Sequence, residues 1–262
     1  MIQICFFLLL CGGSTYGMMM QTPRNKMVLQ ENNKKVVVPM SANQKHYEEV
    51  LHNYNAKIVI GTGPAGTGKT LFPCLESIDM LSAGKINKIV ITRPMVTVDE
   101  DMGFLPGNLD DKMSPWTRPI FDIFLEYYSK KDLDKMLLEN TIEISPLAYM
   151  RGRTFKDACI IADEMQNSSP GQMEMLTTRI GKGSRLFITG DLNQSDRGDL
   201  NGLKDVVSRI SAYYKNYPNV NRMVELVLLD ANDVQRSKIV KHMIDVYRFN
   251  PYSDSDEIIF GC

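Results

Sequence analysis

The stretch GPAGTGKT, Gly63 to Thr70, satisfies the spacing G-x-x-x-x-G-K-[ST] in full. Residues of these types in this order make a loop that cradles phosphate. Glycines let successive backbone N–H groups turn inward, and a helix that starts just after adds its partial positive charge. Gly63, Pro64, Ala65, Gly66, Thr67 and Gly68 would form the cradle. Lys69 can bridge the β- and γ-phosphates of a nucleotide, and the Thr70 hydroxyl can ligate Mg²⁺. The other reactive pair is Asp163 and Glu164, in CIIADEMQN. An apolar run without alternation reads as a strand buried on both faces. Unpaired buried charge is costly, so acids at the end of such a strand must emerge, pair or hold a cation. Beside a phosphate loop, Asp163 fits the acid that holds Mg²⁺, and Glu164 the base that polarises the water attacking the γ-phosphate. A carboxylate poised there points to hydrolysis, because a transferase must keep water out.

Three further features fit the same site, each with an ordinary alternative. FITGDLNQ ends a strand on Gly-Asp and places Gln194 three residues beyond, where an amide can sense the γ-phosphate; the spacing equally suits an Asx-rich turn. Gln44 stands one helix before the first strand, where its amide could read an adenine edge with two hydrogen bonds, or simply be a surface residue. Arg93, Arg151, Arg153, Arg179 and Arg236 are candidates for the cation that neutralises charge in phosphoryl transfer; any one of them also reads as a solvated or ion-paired side chain.

The elements that must position these groups are legible as alternating strands and helices. NQKHYEEVLHNY (43–54) spaces its apolar residues helically, and KIVIG (57–61) is a β-branched run ending in the loop. LFPCLESIDMLSAG predicts a helix that ends at Gly84 and carries Pro73 in its first turns. KIVIT (88–92), TIEIS, CIIAD, RLFITG and VELVLL are further strands, and 93–113 reads as loop. Helices are expected over 115–138, 168–181, 198–214 and 233–247. Strands alternating with helices imply a mainly parallel α/β sheet covered on both faces. No composition break starts a second domain after residue 42, so 42–262 is expected to be one domain.

Lys plus Arg number 30 and Asp plus Glu 31 in 262 residues. No global basic field is present, so any nucleic-acid surface has to be local. The five cysteines form no C-x-x-C and only three His are present, which speaks against a zinc site or a disulfide framework. Cys74 and Cys159 read as small core residues of a reducing compartment. The apolar run IQICFFLLLC is too short to span a bilayer. It has half of the signal-peptide pattern, lacking a preceding cation, and Met18–Met20 offer alternative starts. Residues 1–41 are therefore expected to be a leader or mis-called start, outside the fold, plus a mixed polar and basic stretch over 21–41 that reads as a tail or a short edge element. The expected location is cytoplasmic, with a signal peptide left open and no integral membrane association.

GPAGTGKT, TRPMV, GFLPGNLDDKMSPWTRPIFD, PLAYMRGRTF, DEMQN, TRIGKGS and TGDLNQSD stand in this order. Together they closely resemble the PhoH family, phosphate-starvation-inducible P-loop ATPases, over roughly residues 42–250. The resemblance implies a single RecA-like core akin to one lobe of a superfamily 1 helicase, with ATP and Mg²⁺ as cofactors and a role on RNA. Gln44, Lys69, Thr70, Asp163, Glu164 and Gln194 match its nucleotide-site positions. Arg236 matches an Arg that the family follows with His, where this chain has Ser237; Trp116 replaces a usual Tyr. Some relatives append a PIN or KH-like domain; neither is recognisable here, so independent RNA cleavage is not expected. One lobe alone leaves the γ-phosphate open on one side. A homo-oligomer, ring-like, with Arg236 or Arg179 delivered from a neighbour is the resulting expectation. RNA contacts would come from Arg118, Arg151, Arg153 and Gln172, with Trp116 or Tyr149 for stacking; alternatively these arginines pair with nearby acids. The competing functional readings are a P-loop small-molecule kinase and a nucleotide-gated binding module without useful turnover.

Overall fold

The computed structural model of the chain describes residues 37–94, 116–195 and 201–235, with scattered positions between 239 and 249. Among these residues, β1 (Ile58–Thr62), β2 (Lys88–Thr92), β3 (Ile142–Ile144), β4 (Ala158–Ala162), β5 (Arg185–Gly190) and β6 (Val224–Leu228) form one sheet. Its order is β3-β2-β4-β5-β1-β6, and every neighbouring pair is parallel.

The unalternated strand sequences follow from burial on both faces. Val59, Ile89, Ile91, Cys159, Ile161 and Phe187 pack toward α1 (Ala42–His52), α2 (Leu71–Ser82), α3 (Arg118–Leu125) and α4 (Lys130–Leu138). Their sequence neighbours Ile60, Val90, Ile160, Leu186 and Ile188 point the other way, toward α5 (Pro170–Thr177), α6 (Gly202–Asn216) and the short turns Leu147–Met150 and Met165–Asn167. Cys74 and Cys159 are free and fully buried, and burial pushes the Cys159 thiol up to about 12, so it is a core atom and not a nucleophile.

Helix ends obey local chemistry. Pro73 is the third residue of α2, where an N–H would have no partner within the helix. Gly84 takes φ +68, and Lys85 N–H reaches Met80 O at 2.9 Å, closing a Schellman turn. One expectation is corrected here. The helix predicted over 115–138 is two helices, because Ser129 adopts an extended backbone and its Oγ accepts the Asp132 N–H at 3.1 Å, capping α4. The helix expected over 233–247, Arg236 included, and the loop beyond Pro94 lie almost wholly outside the described residues.

The strand order decides where a ligand can sit. From β1 the chain crosses through α2 toward β2 on one side; from β5 it crosses through α6 to β6 on the other. The crevice at such a switch point, outside the C-terminal ends of the strands, is where open α/β sheets bind ligands. GPAGTGKT begins there. No helix among the described residues is long and apolar enough to cross a membrane.

Candidate nucleotide site

The phosphate loop leaves β1 at Thr62 and is held from several sides. Gly63 N–H donates to Gly190 O at 3.1 Å, tying the loop to the end of β5. Gln235 N–H donates to Gly66 O at 3.0 Å. Thr67 Oγ1 donates to Pro64 O at 2.9 Å, and Lys69 Nζ to the same carbonyl at 3.3 Å. Gly68 takes φ +87, and a Cβ there would lie 2.8 Å from the Phe72 ring, so this position requires glycine twice over. Tyr47, fully buried in α1, donates its hydroxyl to Lys69 O at 3.1 Å. That approach is available only because residue 61 is glycine: a Cβ there would sit 2.4 Å from the Tyr47 hydroxyl oxygen.

Gln44 has a different position from the one expected. Its amide nitrogen donates to Thr67 O and Asp233 O, both at 3.0 Å, and its oxygen accepts the Met40 N–H at 2.8 Å. Both amide protons are engaged inside the protein and the residue is buried. With these contacts Gln44 acts as a strut between α1, the phosphate loop and the segment after β6.

Asp163 and Thr70 meet as the sequence reading requires. Thr70 Oγ1 donates to Asp163 Oδ1 at 2.9 Å, and Thr189 Oγ1 donates to the same oxygen. Asp163 follows β4, Thr189 belongs to β5, and α2 carries Thr70 over that face of the sheet. Burial, reinforced by the charge of Glu164, pushes the Asp163 carboxyl above its ordinary range, against the pull of the two hydroxyls and of Arg93. A buried carboxylate in that condition gains from a cation. Thr189 was not singled out in the sequence. Its role depends on β5 lying between β1 and β4, and strand order is invisible in a linear pattern. Among the described residues, Arg93, one residue past β2, brings its charge to bear on Asp163.

Glu164 adopts φ +53, ψ +39, a left-handed conformation that side chains other than glycine enter at a cost. Its carboxylate accepts from Gln166 Nε2. Gln194 is exposed, on the turn after β5, with its N–H on Asp191 O at 3.2 Å. Arg179 is placed elsewhere. It precedes β5, its carbonyl accepts the Phe155 N–H, and its guanidinium donates to Met175 O and Thr178 Oγ1. It therefore lies at the N-terminal ends of the strands, a strand length of roughly 17–20 Å from the phosphate loop.

Comparison with known proteins places the chain in a family. A family model described as PhoH-like protein matches residues 36–248. The chain belongs to the PhoH family. It is 41% identical over 190 residues to a PhoH-like protein of Bacillus subtilis, covering 72% of this chain and 58% of that one. It is 36% identical over 218 residues to a PhoH-like protein of Mycobacterium tuberculosis H37Rv, covering 81% and 58%. Protein PhoH of Escherichia coli K12 is 33% identical over 214 residues, covering 78% and 56%. The chain thus spans under three fifths of the length of these relatives. The all-parallel sheet with helices on both faces agrees with the P-loop, nucleotide-binding fold of the family.

Half of the residues expected to touch RNA are occupied within the fold. Trp116 is buried, and the Gln172 side chain closes the capping box of α5 with Ser169. Arg153 pairs with Glu143 and lies over the Phe155 ring at 4.5 Å. Arg118, Tyr149 and Arg151 are exposed. For Arg153 the alternative reading, an arginine paired with a nearby acid, is the observed one. Burial alone would push the Glu143 carboxyl up, but hydrogen bonds from Arg153 and Lys88, with their charges, bring it below the ordinary carboxylate range. A carboxylate depressed in the folded state lends stability above its unfolded pKa and loses it as pH falls through the folded one. Urea denaturation between pH 7 and pH 2 is therefore expected to show a shallower acid loss in Glu143→Gln than in the parent; identical slopes would remove Glu143 from the acid limb.

Proposed function

We propose that this chain is a Mg²⁺-dependent ATPase that couples hydrolysis to remodelling of RNA or another nucleic acid. One observation carries the reading: the phosphate-loop hydroxyl of Thr70 is hydrogen-bonded to the strand-end carboxylate of Asp163, with Glu164 next in the chain. The donor set fits Mg²⁺. This ion takes hard oxygen ligands and is commonly bound through one or two carboxylates plus substrate phosphates and waters. Asp163 and Thr70 would hold it, and it would supply charge neutralisation on the phosphate oxygens. Lys69 Nζ, resting on a loop carbonyl, is the mobile cation that can move to phosphate. Glu164 orients and deprotonates water. Arg93 adds positive charge from its own chain.

The reading includes a cytoplasmic homo-oligomer in which an arginine of one subunit completes the site of the next. Arg179 could act only on a neighbour, given its place at the far end of the sheet, and its guanidinium is already engaged. Arg236 remains the first candidate. Incubation of the protein with ATP alone, ATP plus RNA, and ATP plus small-molecule acceptors tests the coupling. Phosphate release stimulated by RNA is the expected result. Transfer of phosphate to an acceptor would make the chain a kinase, and binding without turnover would make it a nucleotide-gated module.

A further inference from the structure

Gln166 has no assigned part in the site, yet its side chain joins two of its pieces. It is 3% exposed, in the turn Met165–Asn167 that follows Glu164. Its Nε2 donates to the Glu164 carboxylate, and its Oε1 accepts the Asp191 N–H at 3.1 Å. Its backbone carbonyl accepts Ser195 Oγ at 3.0 Å. The fit is close: a Cβ on Gly190 would lie 2.6 Å from Gln166 Oε1. One buried amide therefore grips the carboxylate of the base with its donor end and, with its acceptor end, the first N–H of the turn that carries Gln194. A leucine could fill the same space. It would leave the Asp191 N–H and the Glu164 carboxylate each short of a partner.

We propose that Gln166 is a positioning residue that makes the Glu164 carboxylate and the Asp191–Gln194 turn a single moving part. A displacement of that turn, on which Gln194 stands, is then passed to the carboxylate without a contact between Gln194 and Glu164. The amide holds the carboxylate through that hydrogen bond. The inference rests on the ATPase reading for its consequence in turnover, but the clamp itself exists without nucleotide.

Gln166→Leu tests it, with Gln166→Met as the second variant should the branched chain disturb folding. Residue-resolved hydrogen exchange on ligand-free protein should show the Asp191 amide exchanging about tenfold faster in the variant, the size expected for one lost hydrogen bond. The phosphate-loop amides should be unchanged. In turnover, kcat should fall by about tenfold or more with KM for ATP within about twofold, as for an interaction that matters only in the transition state. In a Glu164→Gln background the same substitution should have little further effect, because the group it positions is gone. Unchanged Asp191 exchange overturns the clamp, whether or not the parent hydrolyses ATP. Equal losses of kcat in both backgrounds overturn the link to Glu164. A parent that does not hydrolyse ATP contradicts the ATPase reading, and the exchange result then decides the clamp alone.

Discussion

Glu164→Gln is expected to bind ATP as tightly as the parent, or more tightly, while hydrolysing it on the order of 10²-fold or more slowly, as for loss of a general base. The substitution keeps the shape and the hydrogen-bonding length of the side chain. It removes the group that can take a proton from water. It also removes one negative charge beside Asp163, whose carboxyl is pushed up chiefly by burial and further by Glu164. Relieving that repulsion favours the charged Asp163 and with it the cation that accompanies the phosphates. Binding of a fluorescent ATP analogue and phosphate release, measured side by side, separate the two effects. Turnover at the parent rate would move the base to another residue. Lost binding would make Glu164 structural.

Arg236→Ala is expected to cost more, about 10³ to 10⁵ in rate with ATP affinity retained, the range for an arginine that neutralises charge in phosphoryl transfer. If one lobe makes the whole enzyme, the γ-phosphate would face water, and water screens the charge that must be stabilised. Arg236 opens RSKIVKHMIDVY. The residue before it touches the phosphate loop: Gln235 N–H donates to Gly66 O at 3.0 Å. Mixing Arg236→Ala with Glu164→Gln decides whose loop it serves. Each variant brings the half that the other lacks, so a site shared between subunits regains part of the activity in mixed assemblies. No recovery, or activity from a monomer in light scattering, assigns Arg236 to the site of its own chain.

What the sequence disclosed follows from how local the physics was. β1, β2, β4 and β5 were legible because strands buried on both faces are written as unbroken apolar runs, and Gly84 ends α2 because a left-handed residue there needs no Cβ. The strand–loop–helix setting of GPAGTGKT and the strand-end place of Asp163 were legible because both are set by residue types at short range. The break at Ser129 was missed because no Gly or Pro marks it in the sequence, and a single capping hydroxyl separates the two helices. The buried setting of Gln44 was not legible for a different reason. An amide has the same donors whether it meets adenine or the carbonyls of Thr67 and Asp233, and Asp233 is brought near only by the tertiary fold. Thr189 and Gln166 depend on which strands are neighbours, as does the choice of Arg93 from among the candidate arginines. The signal for Gln166 was present as a long amide two residues past the base in DEMQN, but nothing in the string shows the Asp191 N–H at its other end.

The central claim is that GPAGTGKT holds the phosphates of ATP for hydrolysis, with Lys69 as its mobile cation. Phosphate release from ATP by the purified parent and by Lys69→Ala, each with and without Mg²⁺, tests it most directly. The account predicts Mg²⁺-dependent release by the parent and its loss in Lys69→Ala, with weakened nucleotide binding. Release by Lys69→Ala at the parent rate, or none from the parent in the presence of Mg²⁺, would contradict it.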